Sequence, residues 1–426
     1  MSSGTLFIRD SRTDTNYEIP IQRNSIRATD LQRIKSNPMG SDRADQVSHG
    51  LRVHDPGLQN TAVTNSAISF SDHERGQLLY RGYTLEQLWG ADFEEMFYLL
   101  LWAKYPTHIQ REKLRQRLAQ YMQEVPETVH QSIMNLPRTT GPLPLILAGL
   151  SAYLAFLPDI IPANGKATIY QTDIARADQV ILQTVAAYAV IFGVVRSHRL
   201  GITWRSPSLN QSYYENLFTM AGLIDPASNT PDPVRISCFR RFGDLNAEHG
   251  MALSVFTALV TASSLTDPVS CLIAAVAAAH GPLHFGATES AQRTLAAIGD
   301  PKNVSAFMEN VRAGKEKLFG FGHRTYKAMD PRVDPIRSIL SDLRDVNQPL
   351  LKIAEAIEEA AEHDEYFHKR GFGFEPDIIP AAMLVHRIMG IMAHWREYTV
   401  NRGKLFRPTH LYTGCAEPMM NPMAKI

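Results

Sequence analysis

Thr84 to Pro106 reads TLEQLWGADFEEMFYLLLWAKYP, and this stretch decides the class of the fold. Thr84, with Glu86 close behind, marks a helix start, because a hydroxyl can take up a backbone N–H that has no partner in the first turn. Asp92-Phe93-Glu94-Glu95 starts a second helix, which must stop before Pro106 because proline offers no N–H. Downstream the same texture continues. Apolar residues recur at three- and four-residue spacing in HIQREKLRQRLAQYMQEV from His108, VILQTVAAYAVIFGVV from Val180 and LLKIAEAIEEAAEHDEYF from Leu350. Pro, Gly and Ser clusters near 158–165, 204–212 and 225–234 punctuate these helices. Upstream the pattern alternates instead. TLFIRD (5–10) and TNYEIPI (15–21) read as one β-hairpin, and AISFSD (67–72) and GQLLYRG (76–82) as a second, shorter one. The expectation is a mainly α chain with small N-terminal β-hairpins.

Composition narrows the function. The 426 residues carry 43 Lys+Arg against 43 Asp+Glu, so no bulk positive charge points to a nucleic-acid partner. With 44% hydrophobic residues the chain is not of the disordered type. Cys238, Cys271 and Cys415 include no CxxC, which argues against a disulfide framework or a cysteine zinc site and fits a reducing compartment. The longest apolar run, Pro142 to Leu157, is shorter than the roughly 20 residues a bilayer needs, so no membrane partner is expected. Early acids at Asp10, Asp14 and Glu18 argue against a mitochondrial transit peptide, leaving a cytoplasmic or peroxisomal address. The ending Ala424-Lys425-Ile426 only loosely matches a peroxisomal tripeptide, since the final Leu is absent. Two segments, GPLPLILAGLSAYLAFL (141–157) and CLIAAVAAAH (271–280), are apolar all round. Such helices are buried either in a core or against another subunit.

Three histidine-bearing segments break the helical pattern with glycine or proline: His249 in DLNAEHGMALSVF, His280 and His284 in AAHGPLHFGATESA, and His323 in GFGHRTYKAMDPR. Loop backbone at a helix end exposes a ring and offers peptide groups to a ligand. His280 and His284 are four apart, but Gly281-Pro282 breaks the helix that would put both on one face, so a metal is not expected. GFGH lacks the third glycine and the preceding strand of a dinucleotide loop.

At these segments the chain resembles citrate synthases. GPLHFGATE (281–289), GFGHRTYKAMDPR (320–332), KLFRPTHLYTG (404–414) and YRGYTLEQLWGADFEEMFYLLLWAKYPT (80–107) carry the likeness, which runs from about residue 50 to about 414. The resemblance implies a two-domain helical fold and a homodimer whose active site is shared across the interface. It also implies condensation of an acyl-CoA with oxaloacetate followed by thioester hydrolysis. No cofactor is bound permanently; coenzyme A is the acyl carrier. The implied division is an N-terminal extended segment (1–60), a large domain (61–289 and 373–426) and a small domain (290–372). By the same resemblance His284 would donate to the thioester carbonyl and His323 would protonate the oxaloacetate carbonyl. His249, Arg332, Arg387 and Arg407 would hold oxaloacetate, Arg407 from the partner subunit. Gly320, Phe321 and Gly322 would line the CoA adenine, and Lys327 would meet a phosphate. Arginine suits a carboxylate clamp because its planar fork pairs bidentately and stays charged when dehydrated.

Departures from the family matter as much. Its third catalytic group is an Asp that removes the acyl α-proton, set in an Asn-x-Asp-aromatic segment. Here EYFHKRGFGFEPDIIPAAMLVHR (365–387) holds only Asp377 in the stretch where that base is sought, ten residues before Arg387. One alignment makes Asp377 the base. The other, which runs without a gap into Arg387, is preferred. It leaves the base and its helix missing between about Arg370 and Gly373. An omitted exon, an inactive paralogue, or a substitute base such as Glu375 or water would each account for this. Phe285, Thr288, Ala252 and Val255 stand where the family has smaller or more polar residues. This favours an acyl chain longer than acetyl, at about 0.8 kcal/mol per buried CH₂. The pattern resembles alkylcitrate synthases of fungal polyketide pathways; retained citrate or 2-methylcitrate synthesis, or a non-catalytic CoA-binding paralogue, are the alternatives. Retention of His284, His323 and the three arginines favours the omitted exon. Sequencing the transcript across codons 365–380 is therefore expected to recover an Asp-bearing helix, and an intact cDNA matching this sequence would remove that explanation.

Overall fold

A computed structural model describes residues 3–39, 48–72, 74–284, 286–318, 331–342, 349–362 and 380–411. The chain divides into two compact units, one of residues 1–65 with 407–426 and the other of residues 66–406.

In the first unit the expected hairpin is present. Ser3–Asp10 pairs antiparallel with Thr15–Gln22, in a register that ends at Asp10 opposite Thr15. The turn is tied by Asp10, whose carboxylate accepts from the Arg12 backbone at 3.0 Å and from its guanidinium at 2.9 and 2.8 Å. A two-stranded ribbon is marginal alone. Here Ile19 packs with Leu31 and Ile34 in a small core. Gly50, at φ +78°, lies against the Gln32 carbonyl, where a Cβ would collide.

In the second unit Ser69–Asp72 and Gln77–Tyr80 form the second hairpin, and Tyr83–Thr84 adds a short third strand. Thr84 caps the helix Leu85–Leu88 as its hydroxyl predicts. The reciprocal partner is Gln87 rather than Glu86: Gln87 N–H donates to Thr84 Oγ1 at 3.3 Å and Thr84 N–H to Gln87 Oε1 at 2.9 Å. Glu95 closes the next helix start at 2.9 Å from the Asp92 N–H, and Phe93–Trp102 ends before Pro106.

The centre of this unit is the helix Ile174–Leu200, against which His108–Gln123, Pro142–Ala155, Tyr213–Met220 and Pro380–Val400 pack. It is long and apolar enough to cross a membrane by length and composition, yet 83% of its apolar window is buried in the protein. Gln183 and Thr184 divide its apolar letters into shorter runs. Thr184 satisfies itself within the helix, donating to Val180 O at 2.7 Å. The two all-apolar segments pack against each other as Pro142–Ala155 and Pro268–Ala279 and add to the same main core. A smaller core joins Ile298, Phe307, Met308 and Val311 to Ile353 and Ile357. The helix Val333–Asp342 does not join it. Ile336 and Ile339 enter the main core, and Arg241 fixes the helix end through Asp342 at 2.6 Å.

Gly193 lets the central helix approach Tyr213–Met220, since a Cβ there would meet the Met220 Cβ at 2.5 Å. Gly193→Ala should therefore destabilise the protein by about 1–3 kcal/mol through overpacking. The expected readout is a lower urea midpoint at unchanged slope.

Candidate active site

The site is built on the helix Pro380–Val400, whose residues Met383 to Ala393 are buried. Arg387, Gly390 and His394 follow one another at three- and four-residue spacing and so share one stripe of that helix. The Gly390 N–H donates to Ala247 O at 3.2 Å, which brings in the end of the helix Pro233–Asn246 and the residues after it. Glu248 comes next and has no exposed surface. Its Oε1 accepts from the Ser69 hydroxyl at 2.9 Å, the Gly250 N–H at 2.5 Å and His394 Nε2 at 3.0 Å. Burial pulls its pKa up, but His394, Arg387 and Ser69 together outweigh this and hold it below the ordinary glutamate value. His249 follows directly and is half-buried.

His284 reaches the site from another direction. The helix Pro268–Ala279 ends at His280, and the His284 N–H donates to Gly281 O at 3.0 Å, closing the turn that Gly281-Pro282 forces. Ser254, in the first turn of Leu253–Ala262, meets the ring twice. Its N–H donates to Nε2 at 3.3 Å, and its hydroxyl lies 2.9 Å from the same atom. A backbone N–H can only donate, so Nε2 accepts and the neutral ring carries its proton on Nδ1. Burial, reinforced by the Arg387 charge, lowers the His284 pKa to about 4.

Arg332 is 7% exposed, and its carbonyl accepts from the Ile336 N–H at 3.1 Å at the start of Val333–Asp342. Tyr80 links the groups. Its buried hydroxyl donates to Leu245 O at 3.3 Å and lies in the fields of Arg387, Glu248 and Arg332, while burial drives its pKa upward. His284, Arg332 and Arg387 thus gather from three distant parts of the chain. Arg407 is exposed and belongs to the other unit. His323, Gly320, Phe321, Gly322, Lys327, Asp377, Glu375 and Phe285 lie outside the described residues, as does the side chain of Thr288. Among the described residues no group of three or more His, Cys, Asp or Glu is placed to hold a metal ion.

Two buried guanidinium groups suit a small dicarboxylate. A neutral Nδ1–H beside them suits a carbonyl oxygen that gains negative charge. A family profile described as citrate synthase, C-terminal domain, matches residues 57–409. The chain belongs to the citrate synthase family. Within it, an alkylcitrate synthase of a fungal species is 43% identical over 432 aligned positions, covering 97% of this chain and 94% of that protein. An alkylcitrate synthase of Talaromyces stipitatus is 41% identical, covering 97% and 95%. Among solved structures, the citrate synthase of Thermoplasma acidophilum, in ternary complex with carboxymethyl coenzyme A and oxaloacetate, superposes with a TM-score of 0.77. It is 26% identical, over 87% of this chain and 98% of that one. The aligned length of 432 positions exceeds the 426 residues of this chain, so that fungal relative holds residues with no counterpart here.

Ser254, Glu248, His394 and Tyr80 were not singled out from the sequence as site residues. Glu248 stands inside a quoted histidine segment, but its partners are remote in the chain. Of the apolar departures from the citrate synthase pattern, Val255 has no exposed surface and packs in the main core, next in sequence to Ser254. Ala252 is half-buried at the start of Leu253–Ala262.

The lowered His284 pKa has a direct readout. Nitrogen-detected NMR should show this ring as the neutral Nδ1–H tautomer until pH falls to about 4. A titration near the ordinary value would contradict the burial. Between about pH 6.5 and that value the unfolded chain binds more protons at this group than the folded one. Its contribution to stability is therefore present above the unfolded value and declines as pH falls through the window.

Proposed function

We propose that this chain is an alkylcitrate synthase, joining an alkyl-bearing acyl-CoA to oxaloacetate and then hydrolysing the thioester. What carries the reading is the neutral His284, held by Ser254 and set near Arg387 in a chain 43% identical to a fungal alkylcitrate synthase. His284 Nδ1–H donates to the thioester oxygen, which makes the adjacent α-carbon acidic enough to lose a proton to a base. The resulting enol carbon attacks the oxaloacetate carbonyl, and His323 protonates the alkoxide that forms. Water then cleaves the thioester, releasing coenzyme A and the alkylcitrate. His249, Arg332 and Arg387 fix the oxaloacetate carboxylates, with Arg407 supplied by the partner in a homodimer. Gly320, Phe321 and Gly322 meet the adenine and Lys327 a phosphate. The helices around the smaller core form the domain that closes over the substrates, and the enzyme works in the cytoplasm or peroxisome.

The base is the open position in this scheme. Losing a general base typically costs a factor of about 10²–10⁴. The departure between Arg370 and Gly373 therefore favours a second reading, an impaired paralogue that binds CoA or an active subunit. One assay separates the two. Free CoA release is followed with oxaloacetate and acetyl-, propionyl-, hexanoyl- and longer acyl-CoAs. The expected result is preference for chains longer than acetyl, and loss of condensation in His323→Ala with the dimer intact. Preference for acetyl-CoA would overturn the alkylcitrate reading. No turnover from a confirmed transcript would establish the paralogue.

A further inference from the structure

Glu248 is a fully buried anion at the meeting of three elements. Ser69 belongs to the second hairpin, Gly250 to the loop after Pro233–Asn246, and His394 to Pro380–Val400. All three donate to one oxygen, Oε1, at 2.9, 2.5 and 3.0 Å. Ser69 also holds the loop directly, its Oγ accepting from the Gly250 N–H at 3.1 Å. The second oxygen, Oε2, is pressed against Gly390, where a Cβ would collide with it. Gly390 in turn donates to the Ala247 carbonyl at 3.2 Å. The segment 247–250 is therefore fastened to the arginine-bearing helix at Ala247 and Glu248, and to the second hairpin at Gly250. His249 lies inside the fastened segment, and Arg387 lies one turn before Gly390 on the same stripe.

We propose that Glu248 is a positioning residue for oxaloacetate, its carboxylate setting the separation of His249 from Arg387. The proposal rests on the reading above that these two groups bind oxaloacetate. Removing a charge from water is costly, and a fold that does so needs partners that replace the lost hydration. Here two of the three partners, Gly250 and His394, belong to the elements whose spacing the ligand requires. Direct proton transfer is a poorer role for this carboxylate. One oxygen is saturated by donors, and the other faces helix backbone. Arg387 is also near enough to act electrostatically on Glu248, so the anion moderates the positive potential that the dianion enters.

The test measures binding, so it does not depend on turnover. Calorimetry on the full chain gives dissociation constants for oxaloacetate and for an acyl-CoA. Glu248→Gln should weaken oxaloacetate by about tenfold to a hundredfold, the scale of a small misplacement of binding groups. Acyl-CoA affinity should change by less than about twofold. Gly390→Ala, which displaces the carboxylate without altering its charge, should show the same selectivity. Ser69→Ala should show it more weakly. These two carry the test if Glu248→Gln does not fold. Unchanged oxaloacetate affinity in folded variants would overturn the proposal. So would equal losses for both ligands, which would mark a merely structural role. His249→Ala and Arg387→Ala separate the underlying reading. If neither weakens oxaloacetate, the assignment of the site has failed. If both do and the Glu248 and Gly390 variants do not, only the positioning role has failed.

Discussion

A guanidinium group buried in the apolar interior, at Arg387, is the constraint around which the larger unit is arranged. The helix that carries it is flanked there by Val385, Ile388 and Met389, none with exposed surface. A cation so placed is tolerated only where nearby groups compensate it, since its desolvation costs several kcal/mol. The compensation is visible in the protonation states around it. Glu248 stays ionised despite complete burial. His386, the next residue along, is driven down to about 3 by burial and by the Arg387 charge, and its Nδ1 lies 3.1 Å from the Tyr214 hydroxyl. His284 is held neutral by the same two causes. The Arg387 charge thus adds to the His394 contact that keeps Glu248 ionised and to the burial that keeps both imidazoles neutral. An imidazole that is neutral at physiological pH can polarise a carbonyl by hydrogen bonding alone. The packing requirement and the chemistry coincide at this point.

Local signals made much of the fold legible in the sequence. The alternation of residues 5–21 fixed a hairpin because strand side chains repeat every two residues. Thr84 and Asp92 marked helix starts, where Thr84 Oγ1 takes up the Gln87 N–H and Glu95 takes up the Asp92 N–H. His284, Arg332 and Arg387 were legible by resemblance of short motifs, and the structure brings these three into one neighbourhood. What was not legible is what depends on contact between remote segments. Ser69 and Glu248 are separated by 179 positions, and Glu248 and His394 by 146. No periodicity or spacing encodes such pairs. The same reason explains Val255. Its apolar character suggested a wall for an acyl chain, and only the tertiary fold shows that it is fully buried in the main core. Polar letters break the apolar run of the central helix, whereas the fold buries Thr184 with the Val180 carbonyl as its partner.

The catalytic carboxylate remains the point at which sequence and reaction are most at odds. Among the described residues the His284 ring is held by Ser254, and the segment that bears His249 by Glu248 and Gly390. A buried arginine and a buried glutamate each destabilise the fold if a compensating partner is lost. The longer alignment with the fungal alkylcitrate synthase is in keeping with residues missing from this chain.

The central helix imposes a demand on biosynthesis. Ile174–Leu200 is sheathed in part by Pro380–Val400, a segment that leaves the ribosome about 180 residues later. At roughly 5–20 residues per second, the nascent chain presents a membrane-like apolar rod for about 10–40 s before its last covering helix exists. During that interval nothing in its length or composition distinguishes the rod from a bilayer-spanning segment. The face that Pro380–Val400 covers thus stays open until the end of synthesis, and this unit cannot finish folding before residue 400 is made.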